Sequence, residues 1–295
     1  MSFQHIVPVR PGSGNTPVFL VHSIAGELTW MKPLASHIPP EWPLYGFAAP
    51  GLNSDVPFFF SLEAMAAAYL QDIRQRQPHG PYLLGGYSMG GVVAYEMTRQ
   101  LQAAGETVGL LVMIDAFAPR PDIAEIITSW SRNGLLMQVI CNQLALQWQA
   151  DQLLPPDALP RLPFTEHSIC AATHLLGHCR VPHTQQALQN YLRRCQWLMR
   201  VHAQLLADYR PRRLSEAVEV LLFRNTLGLI GRNSALALPV LPDGQRDPPH
   251  GWTNLLERPP CCVDVEEEHF LLSSEPAMGL IGRELEKRLQ EEPRS

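Results

Sequence analysis

The chain has 295 residues, 46% of them hydrophobic and 17% charged, enough to bury one large α/β core or a core with a substantial insertion. Its net charge of -5 lacks the basic surplus expected of a nucleic-acid binder, and no apolar run approaches the length of a membrane span. The first residues, Met1-Ser2-Phe3-Gln4-His5-Ile6-Val7-Pro8, lack the charged and apolar regions of a signal peptide. The six cysteines lack paired Cys-x-x-Cys spacing. Together these features predict reduced thiols in a cytoplasmic protein, with no membrane or nucleic-acid partner. His174 and His178 are four apart beside Cys179, but no Glu or partner motif accompanies them, so no metal is expected.

In chain order, Pro17 to His22 is an apolar run bounded by turn signals and reads as a buried central strand. It leads into the small-residue loop Ser23-Ile24-Ala25-Gly26. Trp30 to Ile38 reads as a helix, Pro43 to Phe47 as a second strand and Ala49-Pro50-Gly51 as a turn. Leu62, Met65, Ala66, Tyr69, Leu70 and Ile73 recur at helical spacing after Ser61, a suitable N-cap.

The segment Pro81 to Tyr95 then runs from apolar strand through Gly86-Tyr87-Ser88-Met89-Gly90 into an amphipathic helix. That order is the nucleophile elbow, a tight turn that exposes a serine Oγ above a sheet edge. Thr107 to Ile114 is the next strand and ends at Asp115. Alternating strands and helices predict an α/β fold with a mostly parallel sheet covered on both faces.

Between Asp122 and Arg213 the texture is helical and broken by prolines, with helices expected at Ile123–Ile127, Leu135–Leu146 and Thr184–Asp208. This divides the chain into a core segment 1–118, a helical insertion 119–213 and a second core segment 214–295. The insertion reads as a lid over the active site, or as a small domain of separate role. Ala217 to Phe223 and Cys261 to Val265 restore the strand texture around a Pro-rich loop. His269 follows Glu266-Glu267-Glu268 and precedes a helix from Glu275 to Glu291.

A serine hydroxyl needs an adjacent base, and in this fold the base follows the last strand, which singles out His269. The oxyanion would be held by the amide N–H groups of Ile24, in the loop after an early strand, and Met89, which follows the nucleophile. His22 tempts as a base, but its strand-end position suits shaping the loop. The orienting acid often follows the penultimate strand, where Arg224-Asn225-Thr226-Leu227-Gly228 offers none. Asp115, at the sheet edge where Ser88 emerges, is the first choice and Asp247 the second; Asp243 lies in the same long loop.

These stretches carry a resemblance. Val18 to Glu27, Gly80 to Glu96, Ile114-Asp115-Ala116 and His269-Phe270 look like the thioesterase domains of non-ribosomal peptide and polyketide synthases. The chain is similar, more distantly, to fatty-acid synthase thioesterases. The resemblance implies an α/β-hydrolase fold with a helical lid and a triad of Ser88, His269 and Asp115. It also implies release of an acyl chain from the phosphopantetheine arm of a carrier protein, by hydrolysis or cyclisation, without a cofactor of the enzyme's own. Two residues depart from the family pattern: Ser23 stands where proline is usual, which predicts a looser loop, and Glu267 where glycine is usual. Met1 directly precedes the domain, which fits either a free-standing enzyme or an excised synthase domain.

Leu192, Trp197, Leu198, Val201 and Leu205 form an apolar stripe that would line an acyl site or simply pack a helix. Arg193, Arg194, Arg200, Arg210, Arg212 and Arg213 would meet an acidic carrier or its phosphate, or form a solvated face. The rivals to chain release are a stand-alone editing thioesterase, a small-molecule carboxylesterase and a non-catalytic acyl-binding protein of the same fold.

Overall fold

The computed structural model describes residues 5–12, 16–52, 58–155, 158–180, 184–227 and 249–291. Asp243 and Asp247 lie outside the described residues.

Seven strands form one sheet: β1 (Ile6–Arg10), β2 (Val18–Val21), β3 (Leu44–Phe47), β4 (Tyr82–Tyr87), β5 (Val108–Ile114), β6 (Glu219–Asn225) and β7 (Cys261–Val265). Their order is β1-β3-β2-β4-β5-β6-β7, and all neighbours are parallel except the edge pair β1–β3. The eight α-helices of the described residues are α1 (Met31–His37), α2 (Leu62–Arg74), α3 (Met89–Ala103), α4 (Pro121–Arg132), α5 (Leu135–Gln147), α6 (His167–His178), α7 (Gln185–Asp208) and α8 (Glu275–Glu291).

The central strands are buried on both faces, which is why they read as continuous apolar runs rather than alternating ones. Alternate residues still serve different cores. Phe19, Leu84, Leu111 and Met113 meet α2 and α3, through residues such as Met65, Tyr69 and Val93. Leu20, Leu83, Val112 and Ile114 meet α1 and α8, through Trp30, Leu34, Met278 and Ile281. The mostly parallel α/β architecture expected from the sequence is therefore present. Helices α4 to α7 lie between β5 and β6 in sequence, and their buried faces join the α2–α3 core.

Two elements escaped the sequence reading. Strand β1 contains Pro8, which lacks an N–H and is tolerated because β1 is an edge strand. Helix α6 lies in the proline-broken part of the helical stretch, between the helices expected at Leu135–Leu146 and Thr184–Asp208. Helix α4 is longer than expected, starting with Pro121 in its first turn and reaching Arg132. Ser61 caps α2 as expected, its hydroxyl accepting from the Ala64 amide at 3.1 Å.

Candidate active site

The site assembles where adjacent strands end together. Because β4, β5 and β6 are parallel neighbours, the residues that follow or end them lie side by side at one sheet edge. The Ser88 amide donates to the Ile114 carbonyl at 2.8 Å, and the Asp115 amide donates to the Phe223 carbonyl at 2.8 Å. Ser88, Asp115 and Asn225 are thereby fixed by the sheet itself.

The turn at Ser88 is sharp. Ser88 has φ 56° and ψ -120°, a conformation that costs a non-glycine residue on the order of 1–3 kcal/mol. Two glycines make it possible. A Cβ on Gly86 would stand 2.2 Å from the Gly90 carbonyl carbon, and one on Gly90 would stand 2.4 Å from the Val21 carbonyl oxygen. The elbow therefore packs backbone directly against backbone and against the end of β2.

His269 follows β7 and is buried. Its Nε2 lies 3.0 Å from Ser88 Oγ, and its Nδ1 lies 2.6 Å from Asp115 Oδ2. A carboxylate only accepts, so Nδ1 carries the proton and Nε2 is left free to accept from the serine hydroxyl. The His269 carbonyl accepts from the buried Tyr87 hydroxyl, and the next carbonyl, of Phe270, accepts from Gln143 on α5. Sheet and helical segment together hold the histidine loop.

Asp115 is fully buried at φ 48°. Burial alone would push its pKa up, and an isolated buried carboxylate would neutralise. The hydrogen bonds of His250 and His269 win, and hold it well below the usual carboxylate range. Oδ1 accepts from His250 Nε2 at 2.9 Å and from the Asn225 amide at 2.9 Å, and Oδ2 accepts from the Asn225 side chain as well as from His269. The penultimate strand thus supplies a donor to the acid instead of the acid itself.

Ile24 and Met89 both line the cavity beside Ser88 and His269. Met89 opens α3, where first-turn N–H groups have no partner within the helix. The Ile24 loop is tied down on several sides. His22 donates from Nδ1 to the Ser23 carbonyl at 2.7 Å and accepts from Tyr69 Oη at 2.9 Å, so it shapes this loop. Ser23, expected to loosen the loop, donates its hydroxyl to Glu27 at 3.1 Å. His202, from α7, donates from Nδ1 to the Ile24 carbonyl at 2.7 Å. The Glu267 carboxylate turns back to accept the Glu268 amide at 3.0 Å.

The cavity runs under the helical segment and is lined by Phe117, Ile123, Ala124, Ile127, Trp130, Leu136, Leu206 and Phe270, with Arg120 as its charged member. Trp197, Leu198 and Val201, expected from the apolar stripe, do not line it. Trp197 is 48% exposed, packs edge-on against Phe164 at 5.5 Å and lies under Arg200. Leu198 is buried in the core, and Val201 packs against it. Helix α4, one turn of which was foreseen, supplies the wall instead. The arginines of α7 are also engaged within the chain: Arg193 with Asn190, Arg194 with the Gly51 carbonyl and Arg200 with Phe164. Among the described residues no group of three or more His, Cys, Asp or Glu side chains could hold a metal, and no helix is long and apolar enough to cross a membrane.

A family model for the thioesterase domain matches residues 16–203, more than half of the chain. The chain belongs to the thioesterase domain family. The domain is 40% identical over 115 residues to malpinin synthetase of Mortierella alpina, covering 39% of this chain and 2% of that protein. It is 33% identical over 153 residues to an inactive atromentin synthetase of Paxillus involutus, covering 52% of this chain and 16% of that one. The domain therefore spans a small fraction of these much longer relatives. Among solved structures, a four-domain nonribosomal peptide synthetase bound to AMP and glycine matches 96% of this chain and 20% of its own, with a TM-score of 0.73 at 22% identity. The NocB thioesterase domain in covalent complex with a fluorophosphonate nocardicin G analogue matches 97% of this chain and 99% of its own, with a TM-score of 0.61 at 21% identity. At these identities the structures speak for the fold.

Proposed function

We propose that this domain is a serine thioesterase that releases an acyl chain, peptidyl or polyketide, from the phosphopantetheine arm of a carrier protein. The observation that carries the proposal is the hydrogen-bonded series Ser88–His269–Asp115, opening into an apolar cavity. Ser88 Oγ attacks the thioester carbonyl while His269 Nε2 takes its proton. Charge developing on the carbonyl oxygen is held by the amides of Ile24 and Met89, with the N-terminus of α3 behind them. The thiolate leaves with the proton from His269, giving an acyl-Ser88 ester. Water, or a hydroxyl or amine of the same acyl chain, then attacks with His269 again as base. Water yields the free acid and an internal nucleophile yields a ring.

The cavity wall supports an acyl rather than a polar substrate, since it is lined mostly by aliphatic and aromatic side chains of α3, α4, α5, α7 and the flanking loops. A groove lined by Thr128, Arg132, Gln204 and Arg210 shares Ala124 with this cavity. Its two guanidinium groups, with Glu125 also in the lining and Arg210 also donating to the Ala207 and Tyr209 carbonyls, could meet the phosphodiester of an incoming phosphopantetheine arm.

The name of the inactive relative keeps one rival in view, a domain of this fold that binds acyl groups without turning them over. Turnover separates the readings. Medium and long acyl N-acetylcysteamine thioesters and an acyl-loaded carrier protein should be cleaved, with oxygen esters of the same acids cleaved much more slowly. Binding of all acyl donors without cleavage would favour the non-catalytic reading, and faster cleavage of simple esters would favour a carboxylesterase.

A further inference from the structure

The carboxylate that orients His269 is itself gripped by a second histidine. His250 Nε2 donates to Asp115 Oδ1 at 2.9 Å, on the oxygen opposite the one that meets His269 Nδ1 at 2.6 Å. Its ring stacks on Phe117 with centroids 4.1 Å apart and planes 23° apart. Phe117 also lines the acyl cavity, so His250 stands directly behind the cavity wall.

The backbone is shaped to hold the ring there. His250 has φ 55°, a left-handed conformation that a side chain disfavours, and Gly251 follows at φ 88°. Two further hydrogen bonds lace this segment to the residues after Asp115: the Ala118 amide donates to the His250 carbonyl at 2.9 Å, and Trp252 Nε1 donates to the Ala116 carbonyl at 2.8 Å. Trp252 is fully buried against Tyr95, with centroids 4.7 Å apart. A histidine serving only as surface cover has no need of a strained backbone, a stacked ring and a buried carboxylate partner together.

We propose that His250 is a positioning residue for the serine chemistry, fixing the Asp115 carboxylate and drawing off part of its charge; the inference rests on the catalytic reading of Ser88, His269 and Asp115. With a proton on Nε2, His250 satisfies Oδ1 and resists rotation of the carboxylate away from His269 Nδ1. Sharing the negative charge among His250, Asn225 and His269 also moderates the pull of Asp115 on the His269 imidazolium. The titratable and charged groups around His269 are Asp115 from the end of β5, His250 across that carboxylate, the buried Tyr87 phenol of β4, Ser88, and Arg120 in the shared cavity, with Glu266, Glu267 and Glu268 preceding it in sequence. Burial, Asp115 and Glu27 keep the Tyr87 phenol neutral. Removing the His250 donor therefore leaves Asp115 more negative towards His269. The His269 imidazolium is then better stabilised, and the acid limb of the reaction moves to higher pH.

The test is the pH dependence of Ser88 phosphonylation by a fluorophosphonate on the full chain. In that reaction the Ser88 Oγ–P bond forms, the P–F bond breaks, fluoride leaves and the serine proton passes to His269, so no natural substrate is needed. His250→Phe keeps an aromatic ring on Phe117 but has no donor, and His250→Gln places an amide N–H where Nε2 stands. The Phe variant should label about tenfold more slowly at neutral pH, with its acid limb raised by about half to one pH unit. The Gln variant should recover most of the rate and the wild-type limb. Equal loss in both variants with an unmoved limb, or no loss in either, would overturn the proposal. If the Phe variant does not fold, His250→Ala with added imidazole replaces it: rescue of rate and limb supports the proposal, and absence of rescue with an unmoved limb overturns it. Wild-type protein that never labels at Ser88 would instead defeat the catalytic reading itself.

Discussion

His202 on α7 donates its Nδ1 proton to the Ile24 carbonyl at 2.7 Å, which ties the longest helix of the described residues to a loop that lines the cavity beside Ser88. Its ring also stacks on His22 at 5.1 Å, so the two buried imidazoles form one unit under the loop. The donor is a fixed part of the site: burial holds His202 down to about 4, so it stays neutral at neutral pH. His202→Leu removes the donor and should lower kcat by about 10- to 100-fold, the cost of a slightly misplaced oxyanion amide. His202→Asn, whose side-chain amide reaches the Nδ1 position, should retain most of the activity. Equal activity of the Leu variant and wild type on one acyl thioester would show that the tie has no catalytic consequence.

The same pair sets a stability dependence on pH. Burial, together with the neighbouring His202, holds His22 down to about 3. An unfolded histidine binds its proton near pH 6.5, so between that value and about 4 the unfolded chain carries more protons than the folded one. The folded state therefore loses stability as pH falls below about 6.5, by on the order of a few kcal/mol. Thermal melts across pH 4 to 7 should show the midpoint falling on acidification, and His202→Asn should flatten that fall. A parallel profile in the variant would place the acid sensitivity elsewhere.

Much of this site was legible because its parts are local. Gly86-Tyr87-Ser88-Met89-Gly90 between an apolar run and a helix can form few other structures, Asp115 directly follows β5, and His269 lies in the short loop after β7. His250 and Asn225 were not legible. Their partner Asp115 is 135 and 110 residues away, and nothing in either local sequence announces a carboxylate. The absence of an acid after β6 was visible, but that Asn225 uses the same place to donate to Asp115 was not. The cavity wall was misplaced for a different reason. Helical spacing in α7 shows which residues are buried, not whether a neighbour or a cavity covers them, and Leu198 proved to be core while Ala124 and Ile127 of α4 face the open space.

Ala124 gives a direct test of that wall. It lines the cavity between Ile123 and Ile127, so a large side chain there should block the deeper part. Ala124→Phe should reduce kcat/KM for long acyl thioesters by at least about tenfold while sparing acetyl thioester, since packing discriminates chain length by amounts of this size. A uniform loss across all lengths would point instead to the adjoining groove, which Ala124 also lines, and no loss at any length would mean that the acyl chain lies elsewhere.

Asp115→Asn isolates the acid. The amide preserves shape but keeps one acceptor oxygen where Asp115 offers two, to His269 and Asn225 on one side and to His250 and Asn225 on the other. An NH2 turned towards His269 favours the wrong imidazole tautomer. A loss of about 10⁴-fold in kcat is expected, with folding retained. Loss of only a few-fold would show that Asp115 is structural and that His269 is oriented by other means.

The most direct measurement is intact mass after rapid mixing with a medium-chain acyl N-acetylcysteamine thioester, wild type beside Ser88→Ala. The account predicts a transient adduct of one acyl group on wild type, mapped to Ser88 and decaying as free acid or ring appears, with none on the variant. Turnover that persists in Ser88→Ala, or an adduct mapped to another residue, would contradict it.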